Sequence, residues 1–113
     1  MSDIVLAFTV INPANYPLPD RGGRVQFLTE SGSRYEIDYG ARRWARLEHN
    51  PESAAVRSAE GELTGVSEIV IGQPVLIFGP PIDPSQDFRM IETTPVLEII
   101  LDIGRLHYRT LPS

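Results

Sequence analysis

Residues 25–39 decide the class of fold this chain can adopt. Val25-Gln26-Phe27-Leu28-Thr29-Glu30 and Arg34-Tyr35-Glu36-Ile37-Asp38-Tyr39 are β-rich runs separated by Ser31-Gly32-Ser33. A three-residue loop with a central glycine is a common hairpin connection, because glycine takes positive φ without steric cost. In the second run Tyr35, Ile37 and Tyr39 alternate with Arg34, Glu36 and Asp38. A period of two places the apolar set on a core face and the charged set, Glu36 and Asp38 among them, on a wet face. The first run puts Val25, Phe27 and Thr29 on one face, with Leu28 breaking strict alternation. Helical spacing fits neither run, so the chain is expected to be built around an antiparallel hairpin.

The rest of the chain reads the same way. Arg42-Arg43-Trp44-Ala45-Arg46-Leu47-Glu48 is expected to form a third strand, with Trp44 and Arg46 on one face and Arg43, Ala45 and Leu47 on the other. It stops at Asn50-Pro51, and a helix this short would not stand alone. Residues 50–65 are polar and read as a long loop or a loose hairpin around Ala59-Glu60-Gly61. Ser67–Ile71 and Val75–Phe78 read as strands about Gly72-Gln73-Pro74, and Gly79–Pro84 as an extended, proline-stiffened loop. The longest aliphatic stretch, Met90–Ile103, is interrupted at Thr93-Thr94-Pro95; Leu106–Leu111 is expected to be a last short strand. The apolar N-terminal run through Phe8 carries an acid and no base, unlike a secretory signal, and reads as a first strand. The expectation is one all-β domain over residues 1–113, a small antiparallel barrel or two-sheet sandwich of about seven short strands with little or no helix. The proline- and glycine-rich stretches 12–23 and 79–87 are its expected mobile loops.

Composition narrows the setting. A chain of 113 residues with 42% apolar side chains can bury one modest core, and with no cysteine it has neither disulfides nor a thiolate metal site. No apolar run reaches the roughly 18 residues needed to span a bilayer, so no membrane partner is expected and a cytoplasmic setting is. All ten basic residues are arginine, a choice that, with the proline, glycine and alanine usage, reads as codon bias before it reads as phosphate chemistry. The charge is segregated: residues 21–46 carry a net +3 and residues 47–104 a net −8.

The stretch Phe27-Leu28-Thr29-Glu30-Ser31-Gly32-Ser33-Arg34-Tyr35-Glu36-Ile37-Asp38 resembles an opening hairpin of small bacterial and phage proteins to which no activity is assigned. In those proteins a basic segment similar to Arg42–Leu47 follows. A polar loop and a strand similar to Ile71-Gly72-Gln73-Pro74-Val75-Leu76-Ile77 come next, then a close similar to Thr93-Thr94-Pro95-Val96-Leu97-Glu98-Ile99. The resemblance spans roughly residues 25–100 and rests on turn and core positions. It implies a β domain and brings no catalytic residue, ligand or partner; the N-terminal run and the Leu106–Leu111 tail fall outside it.

Candidate chemistry is sparse. Arg24, Arg34, Arg42, Arg43 and Arg46 with Trp44 form a basic, aromatic region that could bind nucleic acid or an anionic nucleotide, the guanidinium groups on phosphate and the indole stacked on a base. Against this, the chain is acidic overall, and Tyr35 and Tyr39 share the core face of their strand. Glu48, Glu52, Glu60, Glu62 and Glu68 could instead meet a basic partner, although such charge commonly serves solubility. Ser31-Gly32-Ser33 is turn chemistry and lacks the strand-to-helix context of a hydrolytic serine. His49 and His107 are the sole imidazoles, too few for a supported metal site with Glu48 and Glu52. Pro81-Ile82-Asp83-Pro84 reads as a loop constraint. No cofactor and no catalytic constellation is expected. The leading reading is a noncatalytic interaction module with a protein partner or a second copy, because strands such as Val96–Leu101 exceed what so small a core can cover. A nucleic-acid- or nucleotide-binding barrel is the alternative, and an enzyme whose site is invisible in sequence is the third.

Overall fold

The computed structural model describes residues 11–48 and 56–104. The expected strands at the N-terminal run and at Leu106–Leu111, and both histidines, lie outside the described residues. Those described form eight strands and one short 3-10 turn at Pro13–Asn15, capped by the Asn12 side chain, which accepts a 2.7 Å hydrogen bond from the Ala14 amide.

The hairpin is present as read: β1 (Arg24–Thr29) and β2 (Arg34–Asp38) pair antiparallel, with Gly32 at φ 88° in the connection. β3 (Arg43–Glu48) pairs with β2, and β4 (Val56–Glu62) pairs with β3. β5 (Gly65–Val66), β6 (Leu76–Gly79) and β7 (Arg89–Glu92) make a second, three-stranded antiparallel sheet. β8 (Val96–Ile103) returns to pair with β1, so the larger sheet runs β4-β3-β2-β1-β8. The two sheets make a sandwich-like arrangement and not a closed barrel.

The core lies between the sheets. Val25, Phe27, Ile37, Trp44 and Val96 from the larger sheet meet Leu63, Val66, Val75 and Ile77, and Tyr35 and Tyr39 pack at the margin. Phe27 and Tyr35 stack at 5.6 Å, while Tyr16, following the 3-10 turn, stacks on Phe78 at 5.3 Å. Burial of these apolar side chains, each contributing roughly 1.5–3 kcal/mol, holds the two layers together.

Three sequence expectations change. Residues 56–62 form a strand, not a loop: the polar run Arg57–Glu62 is an edge, held by the β3 ladder and lacking any need for an apolar alternation. Gly61 lies against Trp44 there, and a Cβ at this position would stand 2.9 Å from the indole Nε1. Ser67–Ile71 is not a strand beyond a single parallel bridge from Ile71 to Val96. Its aliphatic side chains instead let it cross between the sheets, with Ile69 packed on the core. Glu36, read as solvated, is only 4% exposed; Gln26 Nε2 donates to its Oε2 at 2.9 Å and the Arg24 guanidinium lies 3.8 Å away.

Candidate functional site

The arginines singled out in the sequence are positioned by the strand register, which distributes them and interleaves them with acids. Arg24, Asp38 and Arg43 stand in one cross-strand row, with Glu62 opposite Arg43. Arg43 Nη2 contacts Glu60 Oε1 at 3.3 Å. Arg34 pairs with Leu28 on one side and Leu47 on the other, at the opposite end of the sheet. Arg46 lies opposite Tyr35 on the core-facing side and donates to Ser33 Oγ at 3.0 Å. Arg42 sits in the β2–β3 turn with φ 55° and its side chain exposed. The five arginines are therefore spread over both faces of the sheet and the β2–β3 turn.

Trp44 is the aromatic side chain of that region. It is 3% exposed, one of the core aromatics, and the Arg89 guanidinium lies 5.1 Å from its ring centroid. A ring so enclosed presents no face on which a base could stack. Asp38 and Glu62 stand in the row of Arg24 and Arg43, and Glu60 pairs with Arg43.

Two other features meet along β8 (Val96–Ile103), and sequence reasoning reached only the second. The first is a cleft of about 650 Å³ between the sheets. Its walls are Pro17 and Pro19, Val25 and Tyr39, the segment Val66–Ile69, and Ile99 with Asp102 from β8. Arg21 closes one side: its Nη2 lies 3.2 Å from Asp102 Oδ1 and 3.3 Å from the Ile103 carbonyl, its Nε donates to Gly22 O, and its guanidinium sits 4.5 Å from the Tyr39 ring centroid. Burial pushes the Tyr39 hydroxyl above the usual phenol range, a shift the Arg21 charge opposes and the Asp102 charge reinforces. Arg21 and Asp102 are 81 residues apart, so no local pattern signals the clamp.

The second feature is the β8 edge. β8 ends the larger sheet, and its outer side carries the Ile71 bridge at Val96, where Gly72 N donates to Val96 O and Val96 N to Gln73 O. Beyond that bridge, Leu97–Ile103 have no strand partner on this side among the described residues. Leu97 is 53% exposed, and Ile99, Ile100 and Ile103 are exposed as well. Two irregularities interrupt the pairing with β1, leaving Leu97 and Ile100 as the extra residues. The aliphatic length of the run signalled this excess in the sequence; which strand would be the edge it did not signal.

Among the described residues no group of three histidine, cysteine or acidic side chains is placed to hold a metal ion, and no helix is long and apolar enough to cross a membrane. No family model, curated protein or solved structure matches the chain.

Proposed function

We propose that this chain is a noncatalytic protein-interaction module that receives an extended polypeptide segment along β8. The observation that carries the reading is the contrast between the two ends of the larger sheet. Natural sheets blunt their edges with charge, glycine or proline to prevent unwanted pairing. β4 follows that rule with Glu60, Gly61 and Glu62. β8, although it carries Glu98, Asp102 and two bulges, leaves Leu97, Ile99, Ile100 and Ile103 exposed. An added strand gains main-chain hydrogen bonds from such an edge, and its alternate side chains enter the pockets beside it. The two bulges twist the edge locally, which disfavours flat self-stacking.

The test is an array of short extended peptides probed with the full chain and with its Leu97→Lys and Ile100→Lys variants. Bound sequences are expected to contain aliphatic residues at alternate positions and to be lost in both variants, with far-ultraviolet dichroism unchanged. An array that captures nothing, or binding that survives both substitutions, overturns the reading.

A further inference from the structure

We infer that the segment β8 receives is basic as well as aliphatic, and that it comes from another protein and not from a second copy of this edge. The inference rests on the reading of β8 as the receiving strand. Between Met90 and Gly104 there is no basic residue, whereas Glu92, Glu98 and Asp102 are all present. The pairing register fixes their faces. Glu98 lies opposite Leu28 on the side away from the core, with Leu101 and Ile103 on that same side. Ile99 and Asp102 lie opposite Phe27 and Val25 on the core side, where they line the cleft. Across that cleft Glu68, exposed, stands on the segment leading away from β5.

Among the described residues, the two arginines beside the Asp102 end of β8 are already matched, and Arg34 stands two strands from Glu98, across Leu28. Arg21 is with Asp102 at 3.2 Å, and Arg24, opposite Ile103, is with Glu36 at 3.8 Å. Glu68 and Glu98 take part in no ion pair among the described residues. An incoming strand thus meets aliphatic side chains and one unmatched carboxylate on each face: Ile99 with Glu68 on the core side, and Leu101 and Ile103 with Glu98 on the other. Opposite charges across adjacent strands stabilise pairing, and like charges oppose it. A second β8 would bring its own Glu98 and Asp102 to this ribbon and no base. A strand bearing lysine or arginine meets a carboxylate whichever face it turns inward.

The experiment is titration of the full chain with three hexapeptides that alternate isoleucine with lysine, glutamine or glutamate, each at low and high salt. The lysine peptide is expected to bind most tightly and the glutamate peptide least, with the spread collapsing at high salt. Glu98→Gln and Glu68→Gln, both at exposed positions, are each expected to weaken the lysine peptide about two- to fivefold and to leave the glutamine peptide unchanged. Equal affinity for all three peptides overturns the charge selection while leaving the edge reading intact. Binding of none of them overturns the edge reading as well. A concentration-dependent dimer that excludes the peptides and is lost in Ile100→Lys assigns the edge to a second copy and overturns the inference.

Discussion

Substitution of Gly61 by alanine separates the strand account of residues 56–62 from the loop their composition suggests. At an open loop apex, alanine would be neutral or would stabilise the protein by about 0.4–1 kcal/mol, by restricting the unfolded chain. In the structure the new Cβ would lie 2.9 Å from Trp44 Nε1 and 3.4 and 3.5 Å from Cε2 and Cζ2. The indole cannot swing aside freely, because it is 3% exposed within the core cluster. Overpacking of this kind costs roughly 1–3 kcal/mol, so after the gain in the unfolded state the net loss is about 1–2 kcal/mol. For a domain of this size that lowers Tm by roughly 4–10 °C. Urea denaturation followed by far-ultraviolet circular dichroism, which reads the parent and a tryptophan-free background alike, shows it as a lower midpoint with an unchanged slope. In a Trp44→Phe background the smaller ring should relieve most of the penalty, giving a coupling energy of about 1 kcal/mol. A neutral or stabilising Gly61→Ala, or an equal cost in both backgrounds, refutes the packing described for β4 on Trp44.

Other outcomes follow from buried polar contacts and from the cleft. Thr93 is buried, and its Oγ1 accepts from Val75 N at 2.9 Å and donates to Thr94 O at 2.7 Å. Thr93→Val is therefore expected to cost about 1–3 kcal/mol in chemical denaturation, and Thr93→Ser to restore most of it. Tyr39 should ionise above the usual phenol range in an absorbance titration, and Arg21→Gln should raise it further by removing the opposing charge. Its folded pKa exceeds the unfolded value of about 10, so the stability this neutral phenol contributes is full below that pH and is lost as pH rises through the folded value. Removing the exposed Arg43–Glu60 pair by Arg43→Ala should change stability by less than about 1 kcal/mol in the same denaturation assay.

Local chemistry made much of the fold readable. The Ser31-Gly32-Ser33 loop and the strict alternation of Tyr35, Ile37 and Tyr39 are short-range signals, and β1 and β2 follow them. The faces of β3 were likewise readable: Trp44 lies opposite Ile37 and Arg46 opposite Tyr35. Alternation says which side chains share a face but not whether another layer covers it, so the burial of Trp44 depended on a second sheet formed by distant residues. β4 escaped because an edge strand is held by its neighbour's backbone and needs no apolar pattern of its own. Ser67–Ile71 misled in the opposite sense, since β-branched residues packing across a cleft look in sequence like a buried strand. The basic region was legible as composition, yet its meaning changed once register placed Asp38, Glu36, Glu60 and Glu62 among its arginines. At β8 the excess of aliphatic residues was visible beforehand; that β8 is the edge, and that Glu68 and Glu98 have no ion pair among the described residues, required the strand order.

Hydrogen exchange of the full chain, with and without the isoleucine–lysine hexapeptide, tests the central claim most directly. Strand addition at β8 predicts slowed exchange of amides within Leu97–Ile103 on binding and little change in Val56–Glu62. Protection confined to β4 or to the Arg42 turn, or no protection at saturating peptide, would contradict it.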